Sequence, residues 1–288
     1  MDLYFNSLTD NDGNNAANWF QDGGYFSVPH LNVPTSGDTA YIAVGTCDSF
    51  SFTCDAVHIN TGATLTTNSS AVGTNDGTIG TNASGGVVST NNGTIGDNAS
   101  GATVDNNASS GTITANEGAI TANNGILTSN FGTVGSNSGT VESNLSGGIV
   151  TDNSGIVTNN GSGSTVATNF SGATVTDNYG TVTLNASGGT VTLNGSGGTT
   201  TTNSGTVTTN ASGGVVTNAS GGVVSTNASG GTVASNAGTV TTNNGNVGLT
   251  GVITGGSGTI SASATTDLSS HTAGTNVTLP SGSGLVWW

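Results

Sequence analysis

Leu65-Thr66-Thr67-Asn68, Val72-Gly73-Thr74-Asn75, Ile79-Gly80-Thr81-Asn82: from Thr64 to Asn243 the chain repeats an apolar residue, two small or polar residues and an asparagine. Successive apolar anchors are almost always 7 or 9 residues apart, as in 65 to 72, 72 to 79 and 79 to 88. The two spacings differ by 2, the side-chain period of a β-strand, so the longer one never turns an anchor outward. Strands of about four residues are too short to stand alone and must stack on their neighbours. The spacing therefore predicts an all-β fold, a parallel β-helix or β-solenoid.

The corners come in two lengths. The short form is Asn-x-Gly-x, as in Asn123-Asn124-Gly125-Ile126, and the long form is Asn-Ala-Ser-Gly-Gly-x, as in Asn185-Ala186-Ser187-Gly188-Gly189-Thr190. Glycine supplies the positive φ that tight corners need, and asparagine bonds the local backbone. The asparagine three residues after each anchor is expected to point inward and stack in ladders. The competing reading is N-glycosylation, since Asn82-Ala83-Ser84 and Asn98-Ala99-Ser100 are acceptor sequences. Taken in threes, the anchor spacings cluster into columns of like length. One column reads 7, 7, 7, 7, 9, 9, 9, starting from 65→72. That clustering favours a three-sided coil over a two-sided one, with about eight coils of 21 to 26 residues (113→134 and 207→233).

The 288 residues include no lysine or arginine, 15 acidic residues and 3 histidines, for a net charge of −15. Nucleic acid and anionic membrane surfaces are excluded as partners, because both are bound mainly through basic side chains. Richness in Gly, Ser, Thr and Asn would by itself suggest disorder, but a disordered linker has no reason to keep strand parity. No apolar run is long enough to span a bilayer, so no direct membrane insertion is expected. Met1-Asp2-Leu3 lacks the basic start of a signal peptide, which points to a missing signal or to export by another route, as in a virion. A neutral, acidic surface without a trypsin site suits an extracellular, cell-surface or virion location.

Three regions are expected: an N-terminal cap at 1–60, solenoid repeats at 61–262 and a closing segment at 263–288. The first region holds Tyr4, Phe5, Trp19, Phe20, Tyr25, Phe26, Tyr41, Phe50 and Phe52, an aromatic block suited to covering an unpaired solenoid end. Cys47 and Cys54 bracket six residues and are expected to form a disulfide in an oxidising compartment. Asp10, Asp12 and Asn14 offer calcium the oxygen ligands it prefers, although the same residues also read as a solvated Asx-rich turn; no other cofactor is expected. Phe131, Phe170 and Tyr179 each follow a ladder asparagine and are expected on exposed corners. Together with Trp287 and Trp288 they are the candidate assembly residues, for self-association, for other surface or fibre subunits, or for glycans.

Asn18-Trp19, Val33-Pro34 and Gly37-Asp38-Thr39-Ala40-Tyr41-Ile42 resemble the entry to the first coil in secreted parallel β-helix proteins of bacterial surfaces. The repeats that follow resemble coils of adhesins, autotransporter passengers and phage tail fibres. The resemblance implies a right-handed β-helix with surface or fibre roles, and it transfers no catalytic residue.

The expected function is accordingly structural or adhesive and non-catalytic. A polysaccharide-degrading enzyme is a further alternative, which would need paired carboxylates such as Asp97 with Asp105 or Asp152 with Asp177. Ice binding is the runner-up. Thr-x-Thr triplets flank five consecutive anchors, Val175, Val182, Val191, Thr200 and Val207. In a three-sided coil consecutive anchors fall on different sides, so the threonines would be wrapped around the coil and β-propensity would explain them.

Overall fold

A computed structural model describes residues 2–6, 11–21, 33–50, 56–249, 252–253, 259–262 and 276–278. Apart from one 3-10 turn at Ala16–Asn18, the described secondary structure is β-strand. The chain is a parallel β-solenoid of about 13 turns in total. It divides into two compact units, Met1–Glu142 and Ser143–Trp288.

In the first unit, Thr64–Asn68, Thr78–Asn82, Thr94–Asn98, Thr112–Asn116 and Ile126–Asn130 pair in sequence as one parallel sheet. Ala71–Asn75, Val87–Asn91, Thr103–Asn107, Ala119–Asn123 and Thr133–Asn137 form the other. Each of these strands bonds the second strand along, never the next. A coil therefore has two strands, and the three-sided coil expected from the spacings is corrected. In this unit one turn takes 14, 16 or 18 residues, as from Asn68 to Asn82, Asn75 to Asn91 and Asn98 to Asn116, and around the four-residue strand Val215–Asn218 turns of 15 and 17 also occur.

Anchor spacings do not report the number of sides, because like corners need not stack on like corners. The long corner from Asn107 to Thr112 lies over the short corner from Asn91 to Thr94. It keeps the standard bonds, Ala108 N–H to Asn91 O at 2.9 Å and Thr112 N–H to Gly93 O at 2.8 Å. Its two additional residues close on themselves through Gly111 N–H to Ala108 O at 2.8 Å. Both corner lengths thus show the same bonding groups to the turn above, and their order in sequence carries no information about sidedness.

The second unit repeats this plan. One sheet runs through Ile156–Asn160, Thr174–Asn178, Thr190–Asn194, Thr206–Asn210, Val223–Asn227 and Thr239–Asn243 with unbroken register. The other runs through Ile149–Asn153, Thr165–Asn169, Thr181–Asn185, Thr199–Asn203, Val215–Asn218, Thr232–Asn236 and Asn246–Leu249. This second sheet slips register between Thr200 and Asn203, again between Val216 and Thr217, and again between Val233 and Asn236.

The interior is one anchor and one asparagine per strand. Val134, Val141, Val175 and Val182 are each 0% exposed, and so are Asn137, Asn144, Asn178 and Asn185. The residues on either side of each anchor face out, as alternation requires, and the asparagine three residues on turns inward at the corner, out of phase with it.

The N-terminal residues complete the first turns. Asp2–Asn6 pairs parallel to Thr39–Val44 on one edge and antiparallel to Trp19–Phe20 on the other. Asp48 N–H donates to Asn11 O, and Gly13 N–H to Ser49 O. These bonds occupy backbone groups that a bare solenoid edge would leave open to another strand. Phe5, Trp19, Phe20 and Phe50 are buried beneath them, with Phe5 and Trp19 edge to face at 5.4 Å. Within the entry phrase, Asp38 Oδ2 accepts from Thr35 N–H at 2.9 Å and from its hydroxyl at 2.8 Å. Those bonds hold the Asp38 carboxyl below its ordinary range.

Candidate functional site

The asparagines are the most regular polar system in the chain. In the second unit Asn169 Nδ2 donates to Asn185 Oδ1 at 2.8 Å, and Asn185 Nδ2 to Asn203 Oδ1 at 2.7 Å. The same amides reach backbone carbonyls, as Asn185 Nδ2 does to Thr206 O at 3.2 Å. Asn82 and Asn98, read above as alternative glycosylation acceptors, are 0% exposed and sit in such a ladder at 2.7 Å. Their nitrogens are engaged in the fold and closed to a glycosyl transferase. Where a ladder begins its geometry is incomplete: Asn75 pairs below with Ile59, and its buried Oδ1 has no donor.

The calcium residues are arranged as a turn. Asp12 Oδ1 accepts from Asn14 N–H at 2.8 Å and from Asn14 Nδ2 at 3.1 Å. Asn15 Oδ1 accepts from Ala17 N–H at 3.0 Å and opens the 3-10 turn. Asp10 lies outside the described residues, and among those described no group of three His, Cys, Asp or Glu converges. Cys47 is a buried thiol that donates to Ser49 O at 3.6 Å, and burial pushes it up to about 12. Its expected bond to Cys54 lies outside the described residues, as do Trp287 and Trp288.

The two-strand coil separates both proposed carboxylate pairs. Asp97 is on the Thr94–Asn98 strand and Asp105 on Thr103–Asn107, in opposite sheets. Asp152 on Ile149–Asn153 and Asp177 on Thr174–Asn178 are likewise in opposite sheets.

Phe131, Phe170 and Tyr179 are exposed at 45%, 41% and 39%, on corners as expected. Tyr179 lies across Gly195 one turn on, where a Cβ would meet the ring. Tyr4, Tyr41 and His58 form an outward stack, which sequence reading missed. Tyr4 and Tyr41 are 4.9 Å apart at 13°, and Tyr41 and His58 are 5.2 Å apart at 24°. Desolvation, with lesser contributions from Asp2 and Tyr4, raises the Tyr41 phenol. The rings spend their faces on one another, which suits them to fastening the first turns. Only the register Tyr4–Tyr41–His58 reveals the stack, and no fixed spacing precedes Thr64.

The two-strand coil also overturns the argument that scattered the threonines. Alternate triplets now share a sheet: Thr174 pairs with Thr190, and Thr190 with Thr206. Thr176, Thr192 and Thr208 form the companion column on the far side of the anchors, by the same register. Ile156 and Thr158 precede these ranks, while Val223 and Ser225, then Thr239 and Thr241, follow them. No residue among these twelve positions is ionisable. No known protein-family description matches this chain, and no curated protein or solved structure matches it either.

Proposed function

We propose that the chain is a non-catalytic extracellular structural or adhesive protein, a subunit of a surface appendage, fibre or virion. The observation that carries this reading is the contrast between its inside and its outside. Each repeat strand seals one anchor and one bonded asparagine, and turns mostly small neutral residues to water, with a few acidic and aliphatic ones such as Glu142 and Ile156 among them. Such a unit gains further turns without any new interior, and repeat stability is built from neighbour contacts of this kind. A surface lacking lysine and arginine offers no trypsin site and little attraction for polyanions. Resemblance of the entry phrase to secreted β-helix proteins adds right-handed winding and surface exposure to the proposal. The exposed corner rings of Phe131, Phe170 and Tyr179 are the places for contact with other subunits or glycans.

Antibody raised against the recombinant chain tests this by electron microscopy of the native source. Labelling of intact cell surfaces, appendages or particles is the expected result. Labelling that appears only after lysis would overturn the proposal.

A further inference from the structure

We infer that the outer face of the sheet running from Ile156–Asn160 to Thr239–Asn243 binds ice. The inference goes beyond the scaffold reading and stands on different observations. Three consecutive ranks, Thr174/Thr176, Thr190/Thr192 and Thr206/Thr208, lie in one unbroken register. Rungs of a sheet repeat at about 4.8 Å, and residues i and i+2 along a strand at about 6.6 Å, so the two columns form a grid fixed by backbone geometry. Threonine is stiff at χ1, so like neighbours in register repeat hydroxyl and methyl groups at the grid spacing. The ladders beneath hold the strands before any ligand arrives, which reduces the ordering cost of binding.

The occupant follows from the periodicity. Ionised groups draw water around themselves individually, whereas rows of hydroxyls separated by methyls hold water in rows. The twelve flanking positions carry only hydroxyl and aliphatic side chains. Asp177 lies beyond Thr176 toward the corner and outside the ranks. A face that repeats in two directions matches a partner that does the same, and ice is the crystal whose oxygen rows are built from the solvent itself. The opposite sheet lacks these properties. Ala167 and Ala234 interrupt its outer column, and its register slips between Thr200 and Asn203, between Val216 and Thr217, and between Val233 and Asn236.

The test uses the full chain. The parent is expected to shape growing ice crystals, to separate melting from freezing temperature, and to partition into a slowly grown ice mass. Thr192→Tyr, at the centre of the face, should lose thermal hysteresis severalfold while its circular-dichroism melt matches the parent. Thr176→Tyr serves if Thr192→Tyr fails to fold. Thr183→Tyr, at an exposed position on the opposite sheet, should retain full activity. An inert parent overturns the proposal, and so does an equal loss in Thr183→Tyr. Binding to microcrystalline cellulose that Thr192→Tyr abolishes, with ice growth unaffected, reassigns the face to crystalline polysaccharide. Self-association seen by sedimentation and abolished by Thr192→Tyr, again without an effect on ice, reassigns it to a second copy.

Discussion

Replacing Asn185 by alanine removes a buried amide from the middle of a ladder and leaves its neighbours with defined losses. The Asn203 oxygen loses its 2.7 Å donor, and the carbonyls of Gly189 and Thr206 each lose a 3.2 Å contact. The Gly189 carbonyl still accepts from Thr206 N–H, and the Asn169 amide still reaches Thr190 O at 3.1 Å. One buried acceptor is therefore stranded, which costs about 1–3 kcal/mol. The vacated volume adds about 1 kcal/mol, giving roughly 2–4 kcal/mol in all. Asn185→Asp is nearly isosteric and worse. One of its oxygens would keep the Asn169 amide, but the one replacing the nitrogen would face the Asn203 oxygen and two carbonyls, in a chain with no lysine or arginine to pair the charge. The folded state then holds the acid's proton more tightly than the unfolded state does. Stability of this variant is highest below the ordinary aspartate value near 3.9 and falls as pH rises above it. Because repeat proteins open locally, native-state hydrogen exchange is the assay, read on strands Thr165–Asn169 and Thr199–Asn203. An alanine variant whose amides exchange like the parent's, or an aspartate variant insensitive to pH, would refute the claim that the ladder holds these turns together.

Long corners carry a left-handed glycine at the third residue after the ladder asparagine, such as Gly85 at φ 84° and Gly188 at φ 81°, but Ser110 fills that place after Asn107. Since Gly111 N–H closes on Ala108 O just as Gly86 N–H closes on Ala83 O, Ser110→Gly should stabilise the first unit by about 1 kcal/mol in denaturant melts. Gly93→Ala should destabilise it by about 1–3 kcal/mol, because the new methyl group would press on the Gly77 carbonyl oxygen; a melt matching the parent's would contradict this packing. Val175→Asp should cost several kcal/mol and strip protection from its neighbours in exchange experiments. In the reduced protein the Cys47 thiol, pushed up to about 12, should resist alkylation at mildly alkaline pH until the chain is unfolded. Because folding favours the protonated thiol, its contribution to stability should fade as pH climbs from the ordinary 9.0 toward that value.

The interior was legible from residues 65 to 243 because parity is a local property. Two residues more or fewer cannot reverse a side chain, so the anchors could be placed before the number of sides was known, whereas the asparagines, three residues on and out of phase with the alternation, were placed by their corner chemistry. Sidedness was not legible, because corner bonds such as Ala108 N–H to Asn91 O are indifferent to corner length. That single error also hid the threonine ranks, which emerge only when Val175, Val191 and Val207 are known to share a sheet. The outward stack of Tyr4, Tyr41 and His58 escaped for a different reason. The first turns are joined by irregular segments of unequal length, so register there depends on tertiary pairing.

The indifference of each corner to its own length bears on how such a gene can change. On the sheet of unbroken register, a crossover between the codons of two ladder asparagines deletes or duplicates whole turns, and the surviving seam meets strands of the same pattern. An even insertion at a corner is likewise absorbed outside the core. The number of turns is thus a quantity that replication errors can raise or lower without unfolding the product, leaving it to be set by selection and not by the demands of folding.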